Sequence, residues 1–458
     1  MKKHKMKKYI YSAFLIFSYF LSYSQTNPTI TSWIQNTTGI MGRHYESGNF
    51  TAINDTDSAN VQSVLYSADW TYIKTKGIPA YVSGPYLDNN PSIATNQNAI
   101  FKIPLNPAQN TGVPTNTTGG NIGLFINGVA LFDYRDGVSW KSSNSTLAGG
   151  PYGGMGDGVW TRDAVVGERL GFDCSKGHPA MGNYHHHQNP SAFNLDLNVI
   201  STICNLYAAD GLYAIDSTIH SPLIGFAYDG FPIYGAYANK NLDGTGEIIR
   251  MKSSYVLRNI IIRNQYSNGT IVTAGPSVNS SYPLGYFRED YEYIPTSITT
   301  PDYLDEHNGR FCITPEYPNG IYCYFATVYS SWNSAYPYVI GPTFYGIKSA
   351  SKVTSITEAV TLYSPLNNGI AVNKKSKLNF SAFPNPAGDI ISIQASGLIR
   401  EDMKVFLYDS LGKLIAQTIL YQGSTIAYFD TMKLYSGEYI VKVNNGHETV
   451  SKKISIIK

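Results

Sequence analysis

The chain has 458 residues, enough for two to four domains with true hydrophobic cores. Hydrophobic residues make up 43% and charged residues only 14%, with 41 glycines, 23 prolines and 37 tyrosines, which excludes a coiled coil, a collagen and a disordered chain. The formal net charge of +2 hides an acidic middle: residues 25–347 hold 16 Lys and Arg against 24 Asp and Glu. Phosphate binding needs clustered basic residues, so this balance argues against nucleic acid and leaves metal cations as ligands.

The N-terminus reads as a secretory signal. Lys2, Lys3, Lys5, Lys7 and Lys8 precede an apolar run from Ile10 to Leu21, and Ser22-Tyr23-Ser24 supplies small residues at the −3 and −1 positions before Gln25. The run is about 12 residues, short of the roughly 20 needed to span a bilayer. We therefore expect a signal peptide over 1–24, and no later stretch is apolar enough for a transmembrane segment.

From Gln25 to Ile347, short runs of Ile, Val, Tyr, Phe and Thr alternate with Asn, Gly, Ser and Pro, which predicts strands and turns in one β-rich body. The expected strands include Asn98–Leu105, Ile122–Asp133, Tyr255–Ile262, Gly320–Val328 and Val339–Ile347. Gly149–Gly158 is glycine-rich, but no GK[ST] follows it, and no GxSxG occurs anywhere, so neither a nucleotide loop nor a hydrolase elbow is supported. Asn239–Glu247 resembles a calcium loop but carries Arg250 where a bidentate Glu is needed.

The most informative stretch runs from Cys174 to Pro190, where His178, His185, His186 and His187 are four of the nine histidines. On a strand, His185 and His187 project to one face and His186 to the other. Neutral imidazoles suit zinc and copper, and His178, across a turn, is a third candidate. His220 is a fourth candidate and His307 a further one. Asp229 is a candidate ligand or catalytic base, or the anchor of an Asx turn.

The four cysteines form an even set in a secreted chain. Cys312 and Cys323 flank the turn Tyr317-Pro318-Asn319-Gly320, so a hairpin would pair them and leave Cys174 to pair with Cys204. Zinc ligation by cysteine finds no CxxC spacing to support it.

Tyr184-His185-His186-His187 resembles the name-giving motif of the YHYH family, departing only at its third position. The stretches Ile122–Phe132, His220–Gly235, Leu304–Phe311 and Tyr336–Gly341 are similar to the same family, over roughly residues 100–347. The resemblance implies a secreted or surface protein and names no activity. Three function classes follow: a metal-binding protein on the histidine cluster, an extracellular hydrolytic metalloenzyme on the same residues, or an adhesion or glycan-binding module whose histidines only pack.

Residues 348–377 are rich in Ser and Lys and read as a linker. Residues 378–458 hold alternating strands at Ile390–Ile393, Met403–Tyr408, Lys413–Gln417, Thr425–Phe429, Gly437–Asn444 and Thr449–Ile457, which predicts a small antiparallel β-sandwich. Phe383-Pro384-Asn385-Pro386-Ala387, Val405–Lys413 and Leu434–Tyr439, in that order, resemble the C-terminal sorting domain of the type IX secretion system. That resemblance implies a Bacteroidetes-type source, the type IX machinery as partner, and export to the surface or medium.

Overall fold

The computed structural model describes residues 26–458 except 90–91, 197–200, 297–299, 365–379, 396–398, 400, 411 and 447–448; the expected signal peptide and His447 lie outside the described residues. Runs rich in β-branched and aromatic residues form strands throughout, and the α-helices among the described residues are single turns at Pro28–Thr31 and Ala164–Gly167. The fold is mainly β.

One eight-stranded sheet positions the histidines. Its strands in chain order are β1 (Asn121–Phe125), β2 (Ala130–Phe132), β3 (Gly177–Ala180), β4 (Asn183–His186), β5 (Leu223–Ala227), β6 (Pro232–Tyr234), β7 (Gly309–Cys312) and β8 (Ile321–Phe325). In space they lie in the order β3-β4-β2-β1-β5-β6-β8-β7. β5 and β6 are buried on both faces, which is why they read as unbroken apolar runs rather than alternating ones. β1 turns into β2 at Gly128, where φ is +80° and a Cβ would meet Thr75 Oγ1 at 2.3 Å, so the turn requires glycine.

A second sheet of five strands takes the order Ser351–Val353, Ala99–Pro104, Trp70–Thr75, Val61–Tyr66, Thr361–Tyr363. Its two edge strands fall inside the expected linker, so that part of 348–377 belongs to the body instead: Leu362 pairs with Leu65 and Lys352 with Phe101. The expected strand Val339–Ile347 does not form. Pro342 has no N–H to give a ladder, and the segment meets the rest of the chain through isolated bridges at Thr343 and Gly346. One continuous core joins both sheets, from Ile30 and Trp33 to Phe344 and Tyr363.

The C-terminal strands form two antiparallel sheets packed on their own core of Phe380, Ile391, Val405, Leu407, Val441 and Ile454. Phe380–Phe383 adds a strand that the sequence pattern did not mark. This sandwich touches the body: Gln422 bonds Thr37, Arg43 lies 4.2 Å from the centre of the Tyr421 ring, and Ile426 packs in a cluster with Phe172 and Cys174.

Cys174 is bonded to Cys204, closing a loop of 30 residues. The second expected bridge is absent: Cys312 and Cys323 are both buried free thiols. In the register of the hairpin, Cys312 lies opposite Ile321 and Cys323 opposite Arg310, so the two cysteines sit diagonally rather than face to face.

Candidate metal centre

The site is built on the hairpin of β3 and β4. Its two-residue turn, Met181-Gly182, has both φ angles positive, at 49° and 81°. Such turns match the twist of the strands they join. A Cβ at Gly182 would meet Thr95 Oγ1 at 2.0 Å, so glycine is also required sterically. This turn sets a register in which His178 lies directly opposite His185. His187 follows the end of β4 and, two residues on, returns to the face of His185.

Three imidazole nitrogens therefore converge. His185 Nε2 lies 3.1 Å from His187 Nε2, and His178 Nε2 lies 3.4 Å from it. Ligand atoms of the three residues all fall within 4.8 Å of one another. Each histidine is nearly buried, at 7%, 2% and 6% exposure for His178, His185 and His187. Nδ1 of His185 donates to the Asn183 carbonyl at 2.8 Å, and Nδ1 of His187 donates to the Asp133 carbonyl at 2.7 Å. A carbonyl only accepts, so both Nδ1 atoms carry the proton and a neutral ring turns its bare Nε2 lone pair inward. Lone pairs at this spacing repel unless a proton or a metal cation lies among them. Phe132 stacks on His185 with ring centres 3.9 Å apart, and Phe172 meets His178 edge-on at 4.9 Å, which fixes both rings.

A fourth donor comes from outside the hairpin. Glu168 follows the helical turn Ala164–Gly167, whose N-cap is Asp163. Its Oε2 is 3.2 Å from His178 Nε2 and 3.2 Å from His187 Nε2. Burial raises the Glu168 carboxyl, but hydrogen bonds and charge from His178 and His187 outweigh it and hold the group well below the usual carboxylate range. Burial in turn depresses His187, and the Glu168 carboxylate overcomes that and raises it. His185 is driven well below its ordinary value by burial and by the neighbouring His187 and His178. Beside them, Asp136 is raised by burial and by the Glu168 charge, and it pairs with the buried Arg162.

Sequence reasoning missed Glu168. Nothing in Val166-Gly167-Glu168-Arg169 marks a ligand, and it meets the histidines only through tertiary packing. It also placed too much at the site. His186 faces the other way as expected, with Nε2 2.6 Å from Tyr81 Oη and Nδ1 3.0 Å from the Lys176 carbonyl. His220 is not among the converging histidines: its Nδ1 donates to the Ser221 carbonyl at 2.7 Å, and its ring meets Tyr234 edge-on. His307 is not among them either, and holds Thr343 Oγ1 at 2.8 Å through Nδ1. Asp229 anchors a turn instead, accepting from Phe231 N through Oδ1 and from Tyr324 Oη and Gly346 N through Oδ2. The sheet order explains these corrections. From β4 to β5 is three strand steps, roughly 14 Å, and from β4 to β7 it is six, roughly 29 Å.

Residues 100–337, just over half of the chain, match the family described as YHYH protein. The chain belongs to the YHYH family. The converging His185 and His187 are the second and fourth residues of that family's motif as it stands here, Tyr184-His185-His186-His187. Tyr184, the first, is buried and donates to Asp173 Oδ2 at 2.8 Å, a carboxylate that also takes the Ser175 and Gly177 amides and so ties the hairpin's base together. Residues 381–458 match the secretion system C-terminal sorting domain, so this YHYH protein is exported through the type IX system to the cell surface or the medium. No curated protein matches the chain. Among the described residues no helix is long and apolar enough to cross a membrane.

Proposed function

We propose that this exported YHYH protein binds one divalent transition metal, zinc or copper, through Nε2 of His178, His185 and His187 and Oε2 of Glu168. The observation that carries the reading is the inward convergence of three Nε2 atoms, two of them, in His185 and His187, on rings whose Nδ1 atoms are committed to carbonyls. The nitrogen spacings of 3.1 and 3.4 Å fit the edge of a tetrahedron with metal–nitrogen bonds of about 2.0–2.1 Å, which is about 3.3–3.4 Å long. Three nitrogens and one oxygen favour zinc or copper over magnesium or calcium, which prefer all-oxygen sites. The carbonyls of Asn183 and Asp133 are the outer partners that orient two of the ligands. The test is elemental analysis of the purified exported protein with X-ray absorption at the metal edge. About one equivalent with a shell of three nitrogens and one oxygen supports the reading, and a metal-free protein that takes none up refutes it.

A hydrolytic metalloenzyme is the second reading. One observation favours it: the Glu168 side chain is 28% exposed although its Oε2 is buried, so displacing this one carboxylate would open the donor set to solvent. A metal open on that side could lower the pKa of water. Asp229 would not be its base, because its carboxylate is committed to Tyr324 and Gly346.

A further inference from the structure

Next to the histidines lies a cleft of about 310 Å³ that the metal reading does not use. That volume is in the range of small-molecule sites, roughly 300–1,000 Å³. Its walls include Phe172, Tyr329, Tyr336 and Tyr338. Tyr336 is held by stacking on Tyr291 with ring centres 3.9 Å apart, and Tyr338 is fixed by donating to Asp163 at 2.6 Å. Tyr329 is 51% exposed at the cleft. Phe172, Tyr336 and Tyr338 are nearly buried, so Tyr329 is the one of these rings exposed enough to cover one side of a ring-shaped ligand.

The polar groups narrow the ligand. Asn333 Oδ1 and Ser334 Oγ are buried atoms of lining residues and have no hydrogen-bond partner among the described residues. An amide oxygen only accepts, so the ligand must bring a donor such as a hydroxyl. Asp196 also lines the cleft, but its charge is matched by buried Lys176, whose Nζ lies 3.0 Å from Asp196 Oδ2. Arg169 lines the cleft, is exposed and makes no ion pair among the described residues, although its charge reaches Asp196 and helps to lower that carboxyl. Its guanidinium suits a carboxylate.

We propose that this cleft binds a single sugar ring carrying a carboxylate, of the hexuronate class, with the ring against Tyr329, hydroxyls on Asn333 and Ser334, and the carboxylate on Arg169. The metal reading is not needed for it, since none of the three converging histidines lines the cleft.

The test is ligand-detected NMR and calorimetry on the full chain with D-glucuronate, D-glucose and benzoate. Glucuronate is expected to bind, with glucose about tenfold weaker for lack of the charge-assisted bonds and benzoate weaker still for lack of hydroxyls. Arg169→Gln should remove the preference for glucuronate over glucose. Tyr329→Ala should weaken both sugars by roughly tenfold while leaving the metal content of the protein unchanged. Absence of glucuronate binding, benzoate binding as tightly as glucuronate, or equal affinities in wild type and both variants would overturn the proposal. A protein that binds glucuronate but no metal would overturn only the metal reading.

Discussion

Oε2 of Glu168 lies 3.2 Å from Nε2 of His187, although 19 residues separate them and one follows a helical turn while the other leaves a strand. That contact turns a row of histidines on one hairpin into a mixed nitrogen and oxygen site. In the proposed site Glu168 bonds the metal directly. Glu168→Gln should weaken zinc affinity by at least the 10–100-fold typical of losing an outer partner, with the fold intact. Competition titration against a chromophoric chelator measures this; equal affinities would remove Glu168 from the donor set.

His186 is the internal control for the proposed ligands. It is fully buried, held near a pKa of about 3 by that burial, and bonded to Tyr81 and Lys176. His186→Ala should therefore lower stability by about 2–4 kcal/mol through the cavity and the lost hydrogen bonds, and leave metal stoichiometry unchanged. Urea melts paired with metal analysis would show both; a variant that loses metal at native stability would contradict the assignment.

How far the sequence could be read follows from where its information is local. His185 and His187 were legible because strand alternation is a property of neighbouring residues. His178 was legible because a tight turn returns the chain across it. Glu168 was not, because its position depends on how a helical turn packs against the sheet, and neither residue's surroundings record that. The opposite error arose for His220, His307 and Asp229, which stand in family-like stretches but in turns and loops beside strands farther across the sheet. The sandwich at the C-terminus was read nearly whole, since strands such as Met403–Asp409 and Gly437–Asn444 alternate between more and less buried positions over most of their length. Strand pairing at long range was illegible: nothing in Thr361-Leu362-Tyr363 announces Val64-Leu65-Tyr66 as its partner.

Asp229 offers a pH signature away from the histidines. Burial raises its carboxyl to about 6, against the lowering effect of Tyr324 and Gly346. A folded value above the unfolded one, about 3.9, means that its stabilising contribution is complete below that unfolded value and is lost as pH rises through about 6. The loss is of the order of 2–3 kcal/mol between pH 4 and pH 7. Asp229→Asn should make stability fall less steeply with pH across this window, which buried Asp163, Asp173, Asp196 and Asp210 share, and leave metal content unchanged. Denaturant midpoints at four pH values would check it, and parallel profiles for the two proteins would refute it.

The Cys174–Cys204 bridge closes a loop of 30 residues that begins just before the histidine hairpin and contains it. In the chain-entropy model, Cys174→Ser with Cys204→Ser should cost about 3–4 kcal/mol. Thermal unfolding with and without bound zinc would measure this. No change in midpoint would mean that the bridge adds nothing to the fold around the site.

In the proposed site His178, His185 and His187 together hold the metal. Isothermal calorimetry of zinc binding at pH 7.5, on wild type and on the double variant His185→Ala with His187→Ala, tests it most directly. One site is expected in the wild type, with binding that weakens as pH falls because protonated imidazole cannot ligate, the weakening setting in above the ordinary histidine value because Glu168 raises His187; no binding is expected in the double variant, whose circular dichroism and Cys174–Cys204 bridge remain as in the wild type. A wild type that takes up no metal at neutral pH, or a double variant that binds it equally well, would contradict the account.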